Sequence, residues 1–203
     1  MCGIAGLIHR GKSSNVGEEL QNMLQALKHR GPDSTGYALY ANNDGQNFIM
    51  RFKVGENVGE GSTSVNEDES VYDERKKLVN KRLSELAATV VKEEKLTPYS
   101  YRYEIKYGKD LMWFSKAIES IESVEILSIG KSLELIKDLG DAITVSERYG
   151  LNKVQGTHGI GHARMATESG VDIKSAHPFW GYPFADVSVV HNGQLTNYWN
   201  NRR

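Results

Sequence analysis

The chain has 203 residues, 25 basic and 26 acidic side chains, a formal charge of -1 and 39% hydrophobic residues. That length holds one domain, or one domain plus an insertion, and the balanced charge gives no general nucleic-acid or acidic-substrate signal. No apolar run approaches the roughly 18 residues of a bilayer span, and no charged stretch followed by an apolar one opens the chain as a secretory signal would.

The opening Met1-Cys2-Gly3-Ile4-Ala5-Gly6 leads into a short apolar run, 3–8, that predicts a buried strand. Asn15 followed by Glu18 reads as a helix start, with Leu20, Met23, Leu24 and Leu27 at helical spacing behind it. This helix stops at His29-Arg30-Gly31-Pro32, because proline biases the preceding residue away from helix. Strands are expected at 36–41 and 48–52, split by the turn-forming Asn42-Asn43-Asp44-Gly45.

From about residue 53 to 153 the chain is more highly charged and holds no cysteine or histidine. An exposed loop is expected over 55–70, then helical spacing over 72–95 through Val79, Leu83, Leu86 and Val90. A half-buried strand at 99–107, a helix at 111–121, a strand at 124–129 and a short helix at 133–139 follow. This order suggests a small α/β unit inserted into the main domain. Gly55, Gly59 and Gly61 lack the Lys-Ser/Thr of a phosphate loop.

The last stretch is rich in glycine and histidine: Gly156-Thr157-His158-Gly159-Ile160-Gly161-His162-Ala163-Arg164-Met165-Ala166-Thr167, then Ser175-Ala176-His177-Pro178-Phe179. A strand-like Val187-Ser188-Val189-Val190 runs into His191-Asn192-Gly193-Gln194-Leu195.

Cys2 is the single cysteine, so it forms no intrachain disulfide, and a reducing, cytoplasmic setting is expected. Methionine before a small residue is readily trimmed, which would leave a thiol and a free α-amine on one residue. With a reference pKa of about 7.7–8.0, that amine can take the thiol proton near neutral pH. Attack on an amide then needs preorganised N–H donors, which Asn192 and Gly193 can supply. The same Asn-Gly pair is also a common turn signal. Arg164 could grip a substrate carboxylate bidentately, with the Thr167 hydroxyl three residues on, or could equally sit in a surface salt bridge. His158 and His162 are four apart, but the surrounding glycines argue against a helix and no acidic or cysteine partner stands at ligand spacing. No metal site is expected.

Five segments in this order resemble the class II glutamine amidotransferases, a branch of the N-terminal-nucleophile hydrolases: Cys2 to Gly6, His29 to Gly36, Gly161 to Thr167, Ala176 to Phe179 and His191 to Leu195. The resemblance covers 2–52 and 155–203. It implies an α+β fold, a four-layer αββα sandwich, spanning 2–203 with an α/β insertion at 54–153. It implies Cys2 as nucleophile with Asn192 and Gly193 as oxyanion donors. Arg164 and Thr167 would hold the glutamine α-carboxylate, while the 29–36 segment would wall the pocket. Glutamine would be hydrolysed to glutamate and ammonia.

The family also uses an aspartate about 25 residues beyond its Asn-Gly pair to hold the glutamine amino group, and this chain ends ten residues after Gly193. The expectation is a domain incomplete at its C-terminus. Gly130-Lys131-Ser132 and Lys137 to Asp141 look like stand-alone amidotransferase subunits of split glutamate synthase-like enzymes. There, ammonia would pass to a partner synthase subunit carrying flavin and iron–sulfur, with no cofactor on this chain. A non-catalytic module on the same fold, or an amidotransferase serving another acceptor such as a phosphosugar, are the competing readings.

Overall fold

The computed structural model describes residues 2–31, 33–56, 67–165, 173–193 and 197. Strand β1 (Gly3–Ile8) is followed by α1 (Val16–Ala26), whose Asn15 cap accepts the Glu18 N–H at 3.3 Å. Val16, Leu20 and Leu24 on its inner stripe are fully buried. The helix tightens into a 3-10 turn at Lys28–Arg30 before Gly31. Strands β2 (Ser34–Ala41) and β3 (Phe48–Lys53) form as expected but belong to different sheets, so the 42–47 turn carries the chain from one sheet to the other.

Helix α2 (Glu69–Glu85) is shorter than its spacing predicted. Ala87 takes a left-handed φ of 59°, and Val90 already lies in β4 (Thr89–Thr97), which pairs with β5 (Ser100–Lys106). Helix α3 (Leu111–Glu119) and strand β6 (Glu125–Gly130) follow. The helix expected at 133–139 is instead strand β7 (Leu133–Leu139). Leu133 and Leu135 bury in one cluster and Ile136 in another, so apolar residues serve both faces. A strand buried on two faces shows no clean alternation, and periodicity alone cannot separate it from a helix. Helix α4 (Ala142–Tyr149), β8 (Gly156–Arg164), β9 (Phe179–Trp180) and β10 (Ser188–Val189) complete the order.

Two antiparallel four-stranded sheets carry the fold, in the orders β1-β8-β2-β7 and β4-β5-β3-β6, with β9 and β10 as a small ribbon. Among the described residues, three buried clusters join these sheets and helices. Leu20, Leu24, Tyr37, Ile136 and Val145 join α1 and α4 to the first sheet. Ala38, Leu127 and Leu135 join the first sheet to β6 of the second. Phe52, Tyr101, Tyr103, Val79 and Phe114 join the second sheet to α2 and α3. Residues 54–153 supply strands to both sheets, and the result is a mixed α+β architecture. No helix among the described residues is long and apolar enough to cross a membrane.

Candidate functional site around Cys2

Cys2 stands at the start of an edge strand, and its position follows from register. Gly3 pairs with Ala163 and Ile4 with His162, so Cys2 and Arg164 lie at adjoining ends of β1 and β8. On the other side of β8, Arg164 pairs with Ser34 and His162 with Gly36. Successive strand residues alternate faces and directly paired residues share one. Ala38 and Ile160, which pair with each other, belong to the cluster between the sheets, so Ser34, Gly36, His162 and Arg164 share that face. The opposite face is fastened to the helices, as Tyr37 shows by donating its hydroxyl to the Ala142 carbonyl at 2.7 Å.

Two glycines explain why the separated segments can meet here. A Cβ on Gly31 would lie 2.3 Å from the Ala163 carbonyl carbon, and one on Gly36 would lie 2.0 Å from the His177 carbonyl oxygen. Only residues without side chains allow these backbone approaches. Main chain adds to the packing, with the Asp33 N–H donating to the Arg164 carbonyl at 3.2 Å. The Asn192 side chain donates from Nδ2 to the Cys2 carbonyl at 2.9 Å, across 190 residues of sequence. The Cys2 thiol points toward the Met165 carbonyl, Sγ to O 3.9 Å.

Two histidines lie close together at this end of the sheet. His162 is buried, its ring 4.9 Å from that of His177, which stacks edge-on against Phe179 and lies 6.5 Å from His191. Burial first, then His177 and Arg164, pulls His162 down to about 4, against a weak opposing effect of the His191 main chain. His177 falls to about 4 as well, through burial first and then His191, Lys137 and Arg164. Both imidazoles are therefore neutral at pH 7. Among the described residues, neither ring nitrogen of His162 nor the Ser34 hydroxyl has a hydrogen-bond partner of ordinary geometry. Lys137 packs its Nζ 4.6 Å above the Phe179 ring and pairs with Glu125 at 3.2 Å.

Of the residues expected from sequence, the structure brings Cys2, Asn192 and Arg164 to one end of the first sheet. Gly193 follows Asn192 directly, with room for a Cβ limited by the His191 ring at 3.2 Å. Thr167 and Met1 lie outside the described residues. Sequence reasoning did not single out Ser34, or His162 and His177 as neighbours. Their signal is positional, since His162 stands two residues before Arg164 on one strand face, but the partner strand's register was needed to see it. His158 and His162 lie on an extended strand, where four residues span about 13 Å. His158 instead stacks on Tyr40 at 3.9 Å. Among the described residues no cluster of His, Cys, Asp and Glu is arranged to hold a metal ion.

Comparison with known proteins gives the same direction. No family model matches the chain. It is 36% identical over 211 residues to a protein of Methanothermobacter thermautotrophicus named as a glutamine amidotransferase, a match covering 100% of this chain and 64% of that one. It is 31% identical over 205 residues to the glutamine amidotransferase-like protein GlxB of Rhizobium meliloti, covering 100% of this chain and 62% of that one. A shorter match, 32% over 95 residues, covers 46% of this chain and 16% of a glutamine–fructose-6-phosphate aminotransferase of Methanococcus maripaludis. The chain thus spans a little under two thirds of the two relatives that it matches end to end. Over its whole length it is similar to proteins named for glutamine amidotransfer.

Proposed function

We propose that this chain is the glutaminase part of a class II glutamine amidotransferase, built on the N-terminal-nucleophile hydrolase sandwich with 54–153 as its insertion. The observation that supports the reading is the 2.9 Å hydrogen bond from Asn192 Nδ2 to the Cys2 main-chain carbonyl, which ties the Asn192-Gly193 segment to the residue that bears the thiol. Once Met1 is removed, the Cys2 α-amine takes the thiol proton and the sulfur attacks the side-chain amide carbon of glutamine. Negative charge on the former carbonyl oxygen is met by Asn192 Nδ2 and the Gly193 N–H. The amine returns the proton to the leaving nitrogen, the C–N bond breaks and ammonia departs. A γ-glutamyl thioester remains. Water, deprotonated by the same amine, attacks the thioester; glutamate leaves and the thiol is restored. Arg164 and Thr167 hold the α-carboxylate throughout.

Ammonia passes to a synthase partner of the glutamate synthase type, whose flavin and iron–sulfur centres lie on that partner. This acceptor rests on the likeness of Gly130-Lys131-Ser132 and the 137–141 segment to such subunits. A phosphosugar acceptor is the second reading, favoured by the part-length similarity to a fructose-6-phosphate aminotransferase.

Intact mass and covalent labelling test the core of the proposal together. The expected result is a mature chain lighter by one methionine, labelled at Cys2 alone by an electrophilic glutamine analogue, and unlabelled as Cys2→Ala. Wild type should release glutamate and ammonia in equal amounts. Labelling that persists in Cys2→Ala, or retention of Met1 in an active protein, removes the nucleophile assignment.

A further inference from the structure

We propose that Asp186 is a positioning residue for the Asn192-Gly193 donors: its carboxylate latches the segment leading to them onto the β6–β7 turn. The inference rests on the glutaminase reading above. The turn offers a row of main-chain donors at Lys131, Ser132 and Leu133, and Asp186 accepts all three at 3.1, 2.8 and 2.7 Å, with the Ser132 hydroxyl as a fourth donor at 3.0 Å. Consecutive N–H groups of this kind form a concave anion site. Here its occupant comes from the same chain.

Both sides are shaped for the contact. Asp186 holds a left-handed φ of 59°, a conformation that Asp adopts more readily than most residues with a Cβ. Gly130 leaves the space, since a Cβ there would fall 2.5 Å from Asp186 Oδ1. Burial raises the carboxyl, but the Leu133, Ser132 and Lys131 N–H groups outweigh it and hold it below the usual range, so the acceptor stays charged. Two residues on, Ser188 pairs with Trp180 and its hydroxyl meets that of Tyr40 at 2.9 Å. Four residues further, Asn192 reaches Cys2. The segment is therefore fixed at 186, 188 and 192, and the first point carries four hydrogen bonds. Arg164 hangs from β8, which is paired on both sides without this segment. Releasing Asp186 should disturb the oxyanion donors and spare the carboxylate clamp.

The test compares the full-length polypeptide with Asp186→Ala, Asp186→Asn and Ser132→Ala in steady-state glutamine hydrolysis. It adds Cys2 alkylation by iodoacetamide and hydrogen exchange at the Lys131, Ser132 and Leu133 amides. Asp186→Ala should lower kcat about 10- to 100-fold with KM within about twofold, because misplaced oxyanion donors weaken the transition state and not substrate binding. Asp186→Asn, which keeps one acceptor oxygen, should fall between, and Ser132→Ala should stay close to wild type. Alkylation, which develops no oxyanion, should be unchanged, while exchange at the three amides quickens. An active wild type with kcat unchanged in Asp186→Ala overturns the latch alone. A proportional loss of alkylation overturns it too, by showing general collapse. A wild type that hydrolyses no glutamine overturns the glutaminase reading itself.

Discussion

Two buried charged clusters in this molecule are built on opposite plans. In the first, Glu134 on β7 accepts Arg51 Nε at 2.9 Å and Arg102 Nε and Nη2 at 2.9 and 3.0 Å, binding both sheets through one carboxylate. Burial would raise that carboxyl, yet the two guanidinium groups hold it at about 2. In the second, burial first, and then a neighbouring histidine and Arg164, with Lys137 beside His177, strip the protons from His162 and His177. With Glu94 3.6 Å from Arg102 Nη1, the Glu134 cluster sets two carboxylates against two guanidinium groups, although among the described residues Arg51 Nη1 has no hydrogen-bond partner. The Arg164 end holds two neutral imidazoles instead, and among the described residues the Ser34 hydroxyl and His162 ring have no hydrogen-bond partner. One plan suits a joint between sheets, the other the border of the proposed glutamine site.

The largest way to break this comparison is Glu134→Gln. Removing the charge leaves the buried Arg51 and the half-buried Arg102 against a neutral amide, and breaking such a cluster costs about 3–5 kcal/mol. Chemical denaturation should show that loss as a lower midpoint. A change under about 1 kcal/mol would mean that solvent reaches the guanidinium groups and that the cluster is no joint.

Acid separates the clusters more gently. The folded pKa values of His162 and His177, about 4, lie below the ordinary 6.5, so these groups favour the fold fully above pH 6.5. Their contribution is lost as pH falls from 6.5 toward 4, with a slope of at most about 1.4 kcal/mol per pH unit for each ring. His177, only half buried, should give less. Glu134 acts lower: its folded value of about 2 against an ordinary 4.5 places its loss between pH 4.5 and 2. Stability measured against pH should therefore fall in two limbs, and His162→Asn should flatten the upper one only. A single limb below pH 4.5 in the wild type would show that the histidines are solvated.

Much of the helical half was legible in the sequence because it depends on local signals. Asn15 and Glu18 marked the start of α1, and Leu20 and Leu24 are buried as spaced, although Met23 is 40% exposed and the stripe is narrower than read. Strand β7 was not legible, because its charged residues are buried through partners distant in sequence. Glu134 needs Arg51 and Arg102, and Lys137 needs Glu125. At the site, Gly31 and Gly36 were read only as part of a helix stop and a strand start, because what approaches them, Ala163 and His177, is fixed by tertiary packing. The grouping of Ser34, His162 and Arg164 depends on β2–β8 register, which no single segment encodes.

Ser34→Ala is the smallest expected effect and the sharpest contrast with Glu134→Gln. Ser34 is fully buried on β2 opposite Arg164, and its hydroxyl, without a hydrogen-bond partner among the described residues, carries a desolvation cost. Deleting one oxygen leaves a very small void while lifting that cost, so the free protein should be unchanged or stabilised by up to about 1 kcal/mol. Denaturation of the substrate-free chain measures this directly. The sign matters more than the size: a buried polar group kept for folding is missed when removed, whereas one kept for another purpose is not. If Ser34→Ala instead costs more than about 1 kcal/mol, the hydroxyl serves the fold as Glu134 does, and the two clusters are not built on different plans.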